Sequence, residues 1–146
     1  MPSREDALEQ LRGSLMEVFG AHRRLRGRDA RIEGGVSFAH FQLLSVLAEK
    51  GEMSARQLSA EAGLTPATVT QMLDALAEAG IVERTRSETD RLVVLTRLTA
   101  DGRQRVERKQ QALTEKWRSA VDGLDTDEIE AADRVLRLMA AYLDDL

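Results

Sequence analysis

Six residues between positions 54 and 80 leave this chain few ways to fold. Ser54 stands three residues before Gln57, Gly63 interrupts the apolar pattern, Thr65 precedes Pro66, and Gly80 closes the segment. Ser and Gln at that spacing form a capping box, in which each side chain satisfies an orphan backbone N–H. It starts a short helix with Leu58 and Ala62 inward. Gly63 breaks that helix and supplies a tight turn. Thr65 then caps a second helix with Pro66 at its first position, where a missing N–H is no loss. This second helix lies within LTPATVTQMLDALAEAG (64–80), running to Ala79 and ending at Gly80. The segment IVERTRSETDRLVVLTRLT (81–99) predicts strands over 81–85 and 92–98, joined by the polar tip RSETDR at 86–91. Short helix, turn, longer helix and hairpin are, in that order, the parts of a winged helix-turn-helix.

The flanks are helical. Leu8, Leu11, Leu15, Val18, Phe19, His22 and Leu25 recur at helical spacing and predict an amphipathic helix over 5–28. It runs into RRLRGRD (23–29), where cations suit a helix C-terminus and Gly27 permits a stop. A loop with Gly34 and Gly35 is expected at 30–36. Ser37 can cap a helix over 38–50 that turns Phe41, Leu44 and Leu47 to one face and ends at Gly51. Beyond the hairpin, Thr99 or Asp101 opens a long helix over 100–122, with Val106, Leu113, Trp117, Val121 and Leu124 expected inward. Asp125 and Glu128 make a second capping box, and acids in that first turn suit the helix dipole. The last helix sets Ile129, Ala132, Val135, Leu136, Met139, Tyr142 and Leu143 on one stripe.

The expected fold class is mainly α with a small β-wing. The expected organisation is a single domain over 1–146, with a winged helix-turn-helix at 37–99 and a helical dimerisation region from 1–36 and 100–146. The terminal helices carry apolar stripes that one small winged domain cannot cover. A two-fold partner would bury Leu8, Leu11, Leu15, Trp117, Val135, Met139, Tyr142 and Leu143, and would set two second helices about one DNA turn, roughly 34 Å, apart. A homodimer is therefore expected.

Composition removes most other classes. The 146 residues contain no cysteine, which excludes disulfides, thiolate metal sites and cysteine redox sensing. His22 and His40 are the only histidines and lack partners at ligand spacing, so no metal and no cofactor are expected. No phosphate-binding glycine loop, GxSxG, HExxH or paired-carboxylate signature occurs, so no enzyme is expected. No apolar run approaches the roughly 20 residues of a membrane span. MPSREDALEQ at the start lacks an apolar signal core, so a cytoplasmic protein without membrane association is expected. The net charge of −4 disguises a local balance: residues 81–110 carry eight cations and five acids, whereas 111–146 carry four and nine. Phosphate attraction depends on that local field more than on the total.

The second helix has a definite outer face. With Val69 at 0° and ~100° per residue, Val69, Met72, Leu73 and Leu76 cluster inward. Ala67, Gln71 and Asp74 point away, with Thr68 and Thr70 at the flanks. Gln pairs bidentately with adenine, Ala and Thr methyls suit the thymine methyl, and Thr hydroxyls with a helix N-terminus suit phosphate. Double-stranded DNA is the partner such a face fits. Candidate contacts are Ser54 and Arg56 on the short helix, Thr65, Ala67, Thr68, Thr70 and Gln71 on the second, and Arg84, Arg86, Asp90 and Arg91 on the hairpin. Asp74 would repel phosphate and is expected beyond the groove, holding an arginine. The alternative reading is a winged-helix module that binds protein instead of DNA.

TPATVTQMLDALAEAGIVER (65–84) and DRLVVLTRLTADG (90–102) resemble the MarR family, the multiple antibiotic resistance regulators. The resemblance runs over nearly the whole chain. It implies a homodimeric transcriptional regulator, commonly a repressor, over a pseudo-palindromic operator. It also implies release by a small phenolic or carboxylate effector, lined by Arg12, Met16 and Phe19 on the first helix and Phe38, His40 and Phe41 on the next, with Arg12 pairing a carboxylate. Two positions depart from the family. Its wing tip usually reads Asp, any residue, Arg; here Asp90 and Arg91 are followed by Leu92, leaving Arg91 or Arg86 to take over. Gln71 stands where the family often has Arg, which changes base preference.

Overall fold

Helix caps divide the chain, and most fall at the residues whose side chains can supply them. The computed structural model describes residues 1–27, 31–32 and 36–146. The elements are α1 (Arg4–Gly27), β1 (Arg31–Ile32), β2 (Val36–Ser37), α2 (Phe38–Lys50), β3 (Met53–Ser54), α3 (Ala55–Ala62), α4 (Pro66–Glu78), β4 (Val82–Arg86), β5 (Val94–Leu98), α5 (Ala100–Ala120) and α6 (Thr126–Asp144). The mainly α class with a small β-wing is what the sequence predicts. Ser37 Oγ accepts from His40 N at 3.2 Å to start α2, and Gly51 ends it at φ 82°. Ser54 Oγ accepts from Gln57 N at 3.2 Å while Gln57 Oε1 accepts from Ser54 N at 2.9 Å, completing the first capping box. Gly63, at φ 62°, makes the left-handed turn that a side chain disfavours. Thr65 Oγ1 accepts from Thr68 N at 3.2 Å, with Pro66 next to it in the first turn. The second capping box, at Asp125 and Glu128, has both bonds at 2.9 Å.

The chain divides into two compact units, 1–109 and 110–146, and α5 runs across the boundary. In the first unit the core lies between α2, α3, α4 and the sheet. Leu43, Leu44 and Leu47 of α2, Leu58 of α3, and Val69, Leu73 and Leu76 of α4 are buried, as are Ile81, Val82, Leu98 and Val106. Each fully buried aliphatic side chain contributes about 1.5–3 kcal/mol. The sheet is antiparallel, in the order β3-β5-β4.

Several expectations need correction. β3 was not expected: Met53 and Ser54 pair with Thr96 and Leu95, adding a third strand inside what reads only as a helix cap. The loop expected at 30–36 contains a short ladder, with Arg31 opposite Ser37 and Ile32 opposite Val36. Gly34, Gly35 and the Arg28–Asp29 end of the basic run lie outside the described residues. The second strand of the hairpin begins at Val94, not Leu92, so Leu92 belongs to the tip and is 94% exposed. Trp117 and Leu124, expected inward, are exposed. Leu8, Leu11 and Val18 of α1 and much of the α6 stripe, which a partner copy was expected to cover, are exposed in the single chain, and no residue of α6 is buried.

Within the first unit, the start of α5 is fastened at two points. Thr99 caps it, accepting from Gly102 N at 3.0 Å and donating to the carbonyls of Gly80 and Ile81 at 2.7 and 3.1 Å. Gly102 packs so closely that a Cβ there would lie 2.0 Å from the Ile81 oxygen. One helical stretch later, Lys109 is 4% exposed; its Nζ donates to the Val36 carbonyl at 2.7 Å and lies 5.2 Å from the centre of the Phe41 ring. Burial lowers the Lys109 pKa below the usual lysine value. Among the described residues no helix is long and apolar enough to cross a membrane.

Candidate nucleic-acid interface

The α4 helix presents two chemically distinct faces. Val69, Leu73 and Leu76 are buried and Met72 is half-buried, while Thr65, Ala67, Thr68, Thr70 and Gln71 are exposed. The exposed set is small, neutral and hydrogen-bonding, and lies at the helix N-terminus, where backbone N–H groups favour anions. Two of its hydroxyls already meet: Thr65 Oγ1 and Thr68 Oγ1 are 2.8 Å apart, and Thr65 also caps the helix. That pair stiffens the first turn and leaves one hydroxyl proton for an outside acceptor. Thr70 and Gln71 have no such side-chain partner among the described residues. In α3, Arg56 is exposed, whereas Ser54 is half-buried and taken up by its cap.

The wing sorts its cations into tied and untied. In the β4–β5 register Val82 faces Leu98, Arg84 faces Thr96 and Arg86 faces Val94. Directly opposed residues share a face of an antiparallel pair. Val82, Thr96 and Leu98 are buried, so this face of the hairpin is the one turned to α4. Arg84 lies on it, and its Nη2 donates to Asp74 Oδ1 of α4 at 2.7 Å. Asp74 thus holds an arginine, as its outward position predicts, and Arg84 is engaged within the protein. On the other face Arg97 pairs with Glu83 at 2.6 Å. Arg86 and Arg91 are exposed and form neither an ion pair nor a hydrogen bond among the described residues. Arg86 falls on the same face of the hairpin as Arg84, one pleat further out.

The tip is built by hydrogen bonds. Ser87 N donates to Val93 O at 2.8 Å, Val93 N to Asp90 O at 3.0 Å, and Asp90 N to Ser87 Oγ at 3.3 Å. Asp90 Oδ1 accepts from Leu92 N at 3.0 Å. Asp90 therefore shapes the turn, an Asx-type role that needs no outside partner. Thr99 and Gly102 anchor the base of the hairpin. The sequence signal for them was the TADG run, but the reason for the glycine appears only when the Ile81 carbonyl is in place.

The remaining candidates are less convergent. Arg12 pairs with Glu9 at 2.5 Å on an exposed stretch of α1, and that pair raises the arginine pKa and lowers the glutamate's. Met16 is exposed, Phe19, Phe38 and His40 are half-buried, and Phe41 is buried beneath Lys109. His40 Nδ1 lies 2.6 Å from Ser37 Oγ. No group of three or more His, Asp or Glu able to hold a metal ion occurs among the described residues.

Comparison with known proteins converges on one family. A model of the MarR family matches residues 34–91. The chain is 28% identical over 106 residues to the HTH-type transcriptional repressor IacR of Pseudomonas putida, covering 73% of this chain and 64% of that protein. It is 36% identical over 73 residues to the HTH-type transcriptional regulator YdgJ of Bacillus subtilis, covering 50% and 44%. The chain thus spans less than two thirds of the length of either relative. Its fold is similar to that of FabT from Streptococcus pneumoniae, solved in complex with DNA, with a TM-score of 0.79 and 25% identity over 94% of this chain and 98% of that one.

Proposed function

We propose that the chain is a winged helix-turn-helix regulator of the MarR kind, a sequence-specific DNA-binding transcriptional regulator. It acts as a homodimer over a pseudo-palindromic operator in the cytoplasm, and represses by occluding the promoter. One observation carries this reading: the N-terminal face of α4 is exposed and neutral, and Arg86, on the hairpin face that also carries Arg84, forms no ion pair or hydrogen bond among the described residues. Gln71 and Thr70 read bases, Thr65 and Thr68 meet phosphate or base edges, and Arg86, Arg91 and Arg56 supply charge to the backbone. Arg84 is taken up by Asp74 within the protein, and Asp90 holds the tip of the wing. The DNA complex of the similar FabT fold supports the partner.

The homodimer is supported by the terminal helices. Leu8, Leu11, Leu15, Val18, His22 and Leu25 of α1 fall at alternating spacings of three and four, as do Ile129, Ala132, Leu136, Met139 and Leu143 of α6. Such seams pair with another helix in coiled-coil fashion. Regulation by a small phenolic or carboxylate effector belongs to the same proposal, with Arg12, Met16, Phe19, Phe38, His40 and Phe41 as its lining. The Arg12–Glu9 pair must open for Arg12 to take a ligand carboxylate. The regulator carries no catalytic activity of its own.

The test is fluorescence anisotropy of the full chain against duplex DNA from upstream of its own gene, beside scrambled DNA, across a salt series. Tight, salt-dependent binding that prefers the upstream fragment is expected. No affinity for either duplex at low salt would overturn the reading in favour of a protein-binding module.

A further inference from the structure

The wing tip displays an apolar residue where charge would be the ordinary choice. Leu92 is 94% exposed, and Val94 beside it is 46% exposed. An isolated exposed leucine is unremarkable on most surfaces. This one differs in three respects. Its backbone is fixed, since Leu92 N donates to Asp90 Oδ1 and the flanking residues close the turn through Ser87 and Val93. It stands in the loop that joins the two strands of the hairpin, beyond the end of both. Arg91 precedes it in the tip and Arg86 stands opposite Val94 at the end of the hairpin, and neither forms an ion pair or hydrogen bond among the described residues.

We propose that Leu92 is a minor-groove wedge. It enters the groove between Arg86 and Arg91 and packs against the sugar walls and the edge of a base step. The charge pattern identifies the occupant. Unpaired arginines are drawn to a narrow minor groove, where the phosphate potential is most negative. Their approach carries the leucine between them into a groove that apolar side chains are known to part. A rigid tip loses little conformational entropy on insertion, so the contact is retained as affinity. The wing would then favour flexible pyrimidine–purine steps, which yield most readily, and would read deformability instead of adding a further phosphate contact. The inference rests on the DNA-binding reading above.

The experiment separates the two. A pool of duplexes with random cores is enriched on the full-length wild-type protein. The enriched duplex is then titrated with wild type, Leu92→Ala and Leu92→Arg across a salt series, with dyes at the duplex ends reporting bending. Leu92→Ala should bind roughly tenfold more weakly, the equivalent of exposing one leucyl side chain, with an unchanged salt slope and a smaller bend. Leu92→Arg should steepen the salt slope by about one phosphate contact per wing and leave the bend reduced. Unchanged affinity and bend in Leu92→Ala would overturn the wedge while DNA recognition by α4 stands. Failure of the wild type to enrich any duplex would overturn both.

Discussion

At the scale of single residues, the interface is decided by which side chains are already committed. Asp74 and Arg84 neutralise one another across the junction of helix and wing, with Asp74 61% exposed and Arg84 33% exposed. A pair this open contributes about 0–1 kcal/mol to stability. Asp74→Ala should therefore change the urea midpoint little. It should tighten binding to any duplex and steepen the salt slope by about one, because it removes an anion and frees a cation. A weaker complex would mean that the pair is needed to aim the wing. Gln71→Ala should relax sequence preference while leaving random-duplex affinity unchanged, whereas Arg86→Ala should weaken all duplexes alike and lower the slope by about one. Parallel losses on specific and random DNA for Gln71→Ala would remove its base-reading role. Gly102 is a different kind of residue, needed for what it lacks. A methyl there meets the Ile81 oxygen at 2.0 Å, and that oxygen cannot retreat without giving up its bonds from Thr99. Alanine gains about 1 kcal/mol in helix propensity, but overpacking against backbone outweighs it, by up to about 3 kcal/mol. Gly102→Ala should lower the free energy of unfolding by about 2 kcal/mol in urea denaturation.

At the scale of elements, the helices were legible because their ends are written in side chains. Ser37, Ser54, Thr65 and Asp125 each sit where a hydroxyl or carboxylate can accept the third N–H of the helix, and each does so. β3 was not legible, because two residues carry no period and Ser54 already spelled a cap. Leu92 was misread as strand because its apolar character matched the run that follows; the turn is set instead by Ser87 and Asp90, whose bonds span the tip. The outer face of α4 followed from its period alone. Which wing arginines were free did not, since that depends on partners ten and fourteen residues away. Lys109 was likewise invisible: nothing local marks it as the cation that ties α5 to β2. Its burial makes stability depend on pH. The charged form is disfavoured in the folded protein, so the folded-state pKa lies below the unfolded value of 10.5. The folded state then binds fewer protons, and stability rises with pH between those two values. Wild type should gain stability relative to Lys109→Met as pH climbs through that alkaline window. A constant difference between the two proteins would mean that the ammonium is not desolvated.

At the scale of the whole molecule, the separation of charge and the uncovered helices belong to one design. Residues 111–146 carry five more acids than cations, which disfavours phosphate there and leaves DNA to the winged unit. The same segment contains α6, a 19-residue helix with a sound capping box and no buried residue. Most helical stability in proteins comes from packing an apolar face and not from propensity. In the proposed homodimer the seam of Ile129, Leu136, Met139 and Leu143 is covered by the identical seam of a second copy, with matching spacing. Leu136, 57% exposed and central in that seam, is the place to test this. Leu136→Glu puts a charge where two helices would meet, so it should leave the winged unit folded but shift sedimentation from dimer to monomer. Losing one reading helix of two also removes the effective concentration that joins the half-sites, so operator affinity should fall by at least about 10²-fold. Affinity for a single half-site should be unchanged. If Leu136→Glu still sediments as a dimer and binds the full operator normally, the partner surface lies elsewhere, and the exposed seam of α1 becomes the next place to introduce a charge.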